Sequence, residues 1–336
     1  MRILLVGHSL LSPWTEYTRR ALNRLGHPVE RFYCTNLLFD RLTLSGEKDL
    51  AVRESGARNS LQGLRDRWHH WRDRRLLGTA KIFRPDLILV LWGNTLSPEM
   101  LLSLKEESKA RLATWWVDDP FRHRAEKLIP LYDFFFIFDR SYLASLKGAG
   151  AQNARFLPCA CDESVYYPRP LSSRERARYA SDVALVAWYY PDRARVVQAL
   201  AGFDVKIWGR HWPGRLAEGD RFVKDAVAAK IYSASKIGLN SHSDQSRQGG
   251  LNTRSFELLA AGTFELTDAV GGMEELLEPG REVAVYRSPE EARSLVEHYL
   301  KHPGERERMA EAGRRRVLSQ HTYLHRMKTL LQEMGN

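Results

Sequence analysis

Short, nearly continuous apolar runs alternate with longer amphipathic stretches, and this alternation restricts the fold more than any other feature of the sequence. In the first half the apolar runs are Ile3 to Val6, Val29 to Tyr33, Leu87 to Trp92, Leu112 to Val117 and Phe134 to Phe138. Such runs are typical of strands that helices cover on both faces, as in parallel sheets built from repeated βα units. The stretches between and after them predict helices at 13–25, 55–82, 97–108, 121–130 and 140–148.

The alternation stops once and then resumes. Between Leu157 and Ala180, three prolines interrupt a polar stretch, which predicts a linker with room for one short helix. Beyond it, strands are predicted at 183–187, 205–208, 237–239, 263–267 and 283–286, and helices at 191–201, 223–234, 252–261, 272–277, 289–301, 303–318 and 321–334.

A chain of 336 residues is long enough for two cores. We therefore predict an α/β protein with an N-terminal Rossmann-like domain at 1–157, a linker at 158–180 and a second Rossmann-like domain at 181–320. A C-terminal helix at 321–336 is expected to pack back across the domain interface.

Composition favours a globular protein, with 43% hydrophobic and 27% charged residues. The first apolar run is too short for a signal-peptide core, and no run of about 18 uncharged apolar residues predicts a membrane span. We therefore expect a cytoplasmic protein. Cys34, Cys159 and Cys161 lack zinc-ligand spacing, so reduced structural thiols and no metal site are expected.

The net charge of +10 favours a polyanionic partner, which could be a phosphate group, an anionic membrane or nucleic acid. Segment 65–75 concentrates basic residues around Trp68 and Trp71. The favoured interpretation is a solvated helix face with two core tryptophans, and the alternative is a helix that docks on an anionic membrane or an acceptor. Nucleic-acid binding rests on charge alone and is not favoured.

The segment from Gly249 to Glu257 joins a glycine loop to a predicted helix. Gly249 and Gly250 allow backbone amides to approach an anion, and a helix N-terminus attracts phosphate. Asn252 can cap this helix, Arg254 can bind a diphosphate with its forked guanidinium, and Glu257 can accept both hydroxyls of a ribose. A glycine turn with a surface Arg–Glu pair is the structural alternative.

Several short motifs occur in an order that resembles one protein family. They include Asn252-Thr253-Arg254-Ser255-Phe256-Glu257 with Ala261-Gly262, Val186 to Pro191 with Arg193, Trp116 to Pro120, and His321-Thr322-Tyr323. Together they resemble the spore-maturation CgeB-like glycosyltransferases of the wider group 1 assemblage, over nearly the whole chain.

This resemblance implies a GT-B fold, in which two Rossmann-like domains face a central cleft, and a UDP- or GDP-sugar donor with no obligatory cofactor or metal. Relatives mostly retain anomeric configuration, so retention is expected here. The family's two glutamates lie eight positions apart, as Glu257 and Glu265 do. However, Glu257 corresponds to the second of them, so the first falls on Gly249 and Glu265 is assigned no role.

Further candidate residues follow other strands. Gly7 and His8, with Ser9, could approach the donor phosphates, while Tyr190 could stack on the base and Arg193 could bind phosphate. An ordinary strand-to-helix turn remains open for the latter two.

Asp118 and Asp119 end another strand, where ligands of open α/β sheets bind. Either could orient or deprotonate an acceptor hydroxyl, and Asp119 could instead cap a helix after Pro120. His242, near Asp244, is more typical of a hydrogen-bonded loop residue than of a base.

The sequence therefore predicts a hexosyltransferase that moves a sugar from a nucleoside diphosphate to an unidentified acceptor. The alternatives are a nucleotide-sugar 2-epimerase and a non-catalytic sugar-nucleotide-binding protein of an envelope or spore. An NAD-linked oxidoreductase is disfavoured because the dinucleotide fingerprint is absent.

Overall fold

The computed structural model describes residues 1–8, 13–34, 57–93, 96–214, 216–218, 222–242 and 249–335, with the side chains of 57–66 excepted. The chain divides into two compact units. The first contains Met1–Phe138, Tyr142–Leu157 and Met327–Asn336, and the second contains Asp139–Ser141 and Pro158–Arg326.

A six-stranded parallel sheet forms the centre of the first unit, with the order β2-β1-β3-β4-β5-β6. Its strands are β1 (Ile3–Gly7), β2 (Val29–Tyr33), β3 (Leu87–Leu91), β4 (Arg111–Trp116), β5 (Phe134–Ile137) and β6 (Ala154–Phe156). The described helices are α1 (Trp14–Arg24), α2 (Ala57–Phe83), α3 (Pro98–Ser108) and α4 (Leu143–Gly148). β1 and β3 are wholly buried, which explains their continuous apolar runs.

The helix predicted at 121–130 is wrong. This segment forms turns and a short 3-10 helix at Ile129–Leu131. The Asp119 carboxylate accepts hydrogen bonds from the backbone N–H groups of Phe121 and Arg122 at 2.9 and 3.2 Å, as a helix N-cap does, but only one turn follows. Arg124 then adopts a left-handed φ of 53°, which an α-helix does not permit.

The second unit contains a five-stranded parallel sheet with the order β11-β10-β9-β7-β8. Its strands are β7 (Ser181–Val186), β8 (Val205–Trp208), β9 (Ser235–Asn240), β10 (Phe264–Asp268) and β11 (Ala284–Tyr286). The helices that follow α4 are α5 (Ser173–Tyr179), α6 (Pro191–Ala199), α7 (Asp225–Ala234), α8 (Thr253–Ala260), α9 (Pro289–Lys301), α10 (Pro303–Gln320) and α11 (Tyr323–Glu333).

The segment 158–180 lies in the second unit and includes α5. A capping box between Ser172 and Glu175 starts this helix. Residues from Met327 onwards belong to the first unit, where Met327 and Leu330 are fully buried.

The strand order reverses once in each sheet. In the first sheet, β2 lies on one side of β1 and β3 on the other. In the second sheet, β8 lies on one side of β7 and β9 on the other. In open α/β sheets, ligands bind beyond the carboxyl ends of the strands at such a switch point. This rule therefore predicts ligand sites at the β1/β3 and β7/β9 edges.

Candidate functional site

A cavity of about 320 Å³ opens at the switch point of the second sheet. Its lining includes Trp188, Tyr190, Arg193, Phe222, Asn252 and Arg254. A larger cavity of about 400 Å³ lies beside β8 and α6, but its lining, which includes Phe203 and Trp212, contains no charged side chain among the described residues. Of these two cavities, the smaller therefore offers the chemistry of an anion site.

Arg254 connects the two strands of the switch point from the first turn of α8. Its Nε donates to the carbonyl oxygen of Val186, at the end of β7, over 2.8 Å. Its Nη1 donates to Oδ1 of Asn240, at the end of β9, also over 2.8 Å. The guanidinium is thus held at the cavity wall in a fixed orientation, as the recognition of a charged ligand requires.

Asn240 is the centre of a buried polar network beneath Arg254. Its Nδ2 donates to Oε1 of Glu265 at 2.8 Å, to Oγ of Ser255 at 2.9 Å and to Oδ1 of Asn252 at 3.2 Å. Asn252 also caps α8, because its Oδ1 accepts from the backbone N–H of Ser255. The capping role expected for Asn252 is confirmed, and the network fixes both the helix start and Arg254.

Arg193 lies almost wholly buried at the start of α6. Its guanidinium donates to the carbonyl oxygens of Trp188 and of Ser241, the latter at 2.6 Å, and stacks on Tyr190 at 5.0 Å. Its Nε is buried without a hydrogen-bond partner. Burial and the positive charge of Arg254 lower the pKa of Arg193 to about 9, so it remains protonated at neutral pH.

The two guanidiniums make the cavity electropositive. Within the described part of the chain, neither Arg193 nor Arg254 forms a salt bridge with an acidic side chain. Burial raises the pKa of the neighbouring Glu265 to about 8, so this carboxyl group is mostly neutral at pH 7. An anion in the cavity would relieve the repulsion between the two arginines.

Three aromatic side chains border the same cavity and remain partly exposed. Trp188, Tyr190 and Phe222 are 41%, 42% and 46% accessible, although large aromatic side chains are usually well buried. Their rings can therefore stack on a planar ligand such as a nucleobase.

Glu257 and Gly249 occupy other surroundings. Glu257 is not among the residues that line the cavity; it interacts with Tyr166 and Thr253, and loss of hydration together with the nearby Asp225 raises its pKa. A Cβ added to Gly249 would lie 2.8 Å from Oδ1 of Asp139, and Arg140 N–H donates to its carbonyl oxygen at 3.4 Å. This glycine is therefore required by close packing against the turn at 139–141.

His242 is held on both ring nitrogens. Nδ1 lies 2.7 Å from Oδ1 of Asp268, and Nε2 accepts from the backbone N–H of Asn252 at 3.2 Å. This arrangement confirms that His242 is a hydrogen-bonded loop residue. Asp244 lies outside the described residues.

The switch point of the first sheet carries a second cluster. His8 follows β1, and its ring lies 4.9 Å from that of Trp92, which follows β3 and has a left-handed φ of 51°. A left-handed backbone at a bulky residue is uncommon and is found preferentially at functional sites. Gly7 is required by packing, because a Cβ there would lie 2.2 Å from Oγ1 of Thr15.

Asp118 and Asp119 have different partners. Oδ2 of Asp118 lies 3.0 Å from Nε2 of His123, whose ring packs edge-on against Trp92 at 5.3 Å. Asp119 instead caps the turn described above, which is a local structural task. Asp118 and His123 are thus paired at this edge of the sheet, where ligands of open α/β sheets bind.

Sequence reasoning missed Asn240, Trp92 and His123. Asn240 and Trp92 each end or follow a buried strand, so the rule that ligands bind at carboxyl ends of strands could have indicated them. His123 had no such signal, because its position depends on a turn that was predicted as a helix.

None of the described helices is long and apolar enough to cross a membrane. No group of three or more His, Cys, Asp or Glu side chains in the described ranges is arranged to hold a metal ion.

Comparisons with known proteins agree with this architecture. Residues 193–332 match the family model described as glycosyl transferase-like. The chain is 20% identical over 264 residues to spore protein CgeB of Bacillus subtilis (strain 168), covering 72% of this chain and 80% of that protein.

Solved structures of similar fold cover nearly the whole chain. The Anabaena Alr3699/HepE complex with UDP and glucose matches with a TM-score of 0.63 and 12% identity, over 99% of each chain. Sucrose-phosphate synthase from Thermosynechococcus elongatus matches with a TM-score of 0.64 and 15% identity, also over 99% of each. The chain therefore has the GT-B fold predicted from its motifs, and it is a glycosyltransferase with similarity to CgeB.

Proposed function

We propose that the chain transfers a hexosyl group from a nucleoside-diphosphate sugar to the hydroxyl group of an acceptor, and that the cavity at the β7/β9 switch point binds the donor. The observation that carries this proposal is the pairing of Arg193 and Arg254 without an acidic salt-bridge partner among the described residues. A diphosphate supplies the missing negative charge.

The donor parts fit the lining of this cavity. Arg254 would donate to the diphosphate through the guanidinium nitrogen that is not fixed by Val186 and Asn240. The exposed rings of Trp188, Tyr190 and Phe222 would hold the base by stacking. We propose UDP as the nucleotide, since the Alr3699/HepE structure similar to this chain is described as a complex with UDP. We also propose that Gly249, Gly250 and Glu257 contact the donor. The same proposal includes Gly7 and His8.

The reaction breaks the bond between the anomeric carbon and the diphosphate oxygen, and that oxygen keeps the electron pair. Arg254 would stabilise the negative charge that develops on the leaving diphosphate. The acceptor oxygen forms the new bond to the anomeric carbon and loses its proton. We assign the receipt of this proton to the Asp118–His123 pair on the local geometry of the first unit. Metal independence belongs to the same proposal, and so does retention of anomeric configuration, which requires the acceptor oxygen to attack from the face that the diphosphate leaves.

Titration calorimetry with UDP, GDP and ADP tests the donor site. We expect UDP to bind and Arg254→Ala to weaken its binding by about 10- to 150-fold, because a hydrogen bond to a charged group contributes about 1.5–3 kcal/mol. Arg308→Ala is the matched control, since Arg308 is an exposed arginine of the same unit that does not line the cavity.

Incubation with UDP-hexoses and a panel of hydroxyl acceptors then tests transfer. Equal UDP affinity in wild type and Arg254→Ala would refute the assigned role of Arg254. Formation of an epimer from the donor alone, without an acceptor, would identify the chain as an epimerase and refute the proposed transfer.

A further inference from the structure

One face of α2 combines exposed cations with exposed apolar side chains. Positions 67, 71, 74, 78 and 82 recur at helical spacing and therefore lie on one side of the helix, with Arg75 beside them. Trp71 is 51% and Ile82 is 84% accessible, and Arg67, Arg74 and Arg75 are exposed. We call Arg67, Trp71, Arg74, Arg75 and Ile82 the basic face.

The opposite side of α2 satisfies the packing of the helix. Leu76 and Ala80 are buried there, and Arg72 is 2% accessible and forms a salt bridge with Asp73 at 2.6 Å. Trp71 therefore does not belong to the core, which corrects the favoured interpretation of two core tryptophans. The basic face is therefore the solvent-exposed side of α2, opposite the side that packs on the first unit.

Charge on the basic face is of one sign. Arg67, Arg74 and Arg75 form no salt bridge with an acidic residue in the described ranges, and Arg75 stacks on Trp71 with its guanidinium carbon 4.8 Å from the ring centroid. Lys81 is excluded from the face because it pairs with Glu107 of α3. A partner of this face must therefore carry negative charge.

We propose that the basic face docks the protein on the surface of an anionic phospholipid bilayer. Arginines beside such a surface gain attraction from its negative potential, while Trp71 and Ile82 can enter the region between headgroups and acyl chains. Nucleic acid shares the charge complementarity but offers no apolar layer for Ile82, which is the most exposed large apolar side chain of the described chain. This inference does not rest on the donor site.

Cosedimentation with vesicles of phosphatidylglycerol and phosphatidylcholine tests the proposal. We expect binding to mixed vesicles but not to pure phosphatidylcholine, with affinity falling as salt rises. The triple variant Arg67→Glu, Arg74→Glu, Arg75→Glu should lose about 100-fold or more in partitioning, since each cation near an anionic surface contributes about 1 kcal/mol.

A control of equal charge separates the face from net charge. Arg174, Arg176 and Arg308 are exposed in the second unit, and their triple substitution by Glu should weaken partitioning far less. Equal losses in the two triple variants would overturn the docking surface.

Apolar substitutions separate a bilayer from nucleic acid. Trp71→Ala with Ile82→Ser keeps every charge and should still reduce vesicle binding by about 10-fold or more. Unchanged vesicle binding, together with salt-sensitive binding of a DNA duplex, would overturn the bilayer in favour of nucleic acid. Circular dichroism and UDP titration of each variant check that the fold and the donor site are intact.

Discussion

The carboxyl group of Glu265, in β10, is fully buried. Its Oε1 accepts a hydrogen bond from Nδ2 of Asn240, whereas its Oε2 has no hydrogen-bond partner among the described residues. Burial raises its pKa from an ordinary value near 4.5 to about 8. The folded chain therefore retains a proton that the unfolded chain releases. The free energy of unfolding therefore does not depend on the ionisation of Glu265 below pH 4.5. It falls as the pH rises from 4.5 towards 8, and above 8 this group causes no further change.

Glu265→Gln should therefore weaken the pH dependence of stability between pH 5 and 8, because glutamine cannot ionise. The measurement is the free energy of unfolding by urea at both pH values. The exposed Glu274→Gln serves as the control and should retain the wild-type dependence. If Glu265→Gln loses as much stability as wild type from pH 5 to 8, then Glu265 does not carry the effect.

Asp118 and Asp119 are neighbours in sequence with separate predicted effects. Asp118→Asn and His123→Ala should each lower kcat, by about 100-fold for His123→Ala, with the KM for the donor unchanged, because a general base contributes about 10²–10⁴ to the rate. Asp119→Ala should instead lower stability by about 1 kcal/mol, the usual cost of losing a cap, and keep kcat. Steady-state kinetics and urea unfolding of the three variants distinguish these roles, and a reversed pattern would exchange them.

Residue identity alone predicted the surroundings of the Gly249 to Glu257 segment only in part. Arg254 and Asn252 line the cavity, as a glycine loop before a helix indicated for its first turn, while their donor contacts stay a prediction. Glu257 was paired with Arg254 from their spacing of three residues, yet the helix turns Glu257 towards Tyr166 and Asp225. Which side of a helix faces a cavity depends on the strands beneath it, and that information is not local.

At the scale of elements, the buried strands were well predicted and one helix was not. Ten of the eleven described strands were anticipated, because burial on both faces leaves strands such as β1 and β3 with a continuous apolar run. β6, with only three residues, is too short for such a signal. The helix at 121–130 failed because the left-handed backbone at Arg124 ends the first turn, and the sequence contains no local signal for that conformation.

Close packing between α10 and its neighbours gives a prediction at this scale. A Cβ added at Gly313 would lie 2.5 Å from the carbonyl oxygen of Glu282 and 2.6 Å from Cδ2 of Leu259 in α8. Gly313→Ala should therefore destabilise the second unit by about 1–3 kcal/mol through overpacking, despite the better helix propensity of alanine. Gly78→Ala, in α2 with no atom within 4 Å of the added Cβ, should stabilise by about 0.5–1 kcal/mol. Urea unfolding measures both, and equal signs would contradict the packing account.

At the scale of the whole molecule, the chain has two compact units, each with its own sheet and buried strands. Two cores of this kind do not need to unfold in a single transition. The sequence indicated the two sheets by its interrupted alternation. The return of residues 327–336 to the first unit could not be predicted as a boundary, because Met327 and Leu330 give only an ordinary helical pattern.

Ligand binding should act on only one of these transitions. UDP at 100 times its Kd stabilises the unit that binds it by about 2.7 kcal/mol. For a unit of this size the corresponding Tm should rise by about 5–10 °C. Scanning calorimetry measures this shift, and Gly313→Ala identifies the second-unit transition by lowering its Tm. UDP should not move that transition in Arg254→Ala, whereas Arg308→Ala should respond as wild type does. A rise confined to the other transition would move the nucleotide site to the first unit and contradict the assignment to the cavity at the β7/β9 switch point.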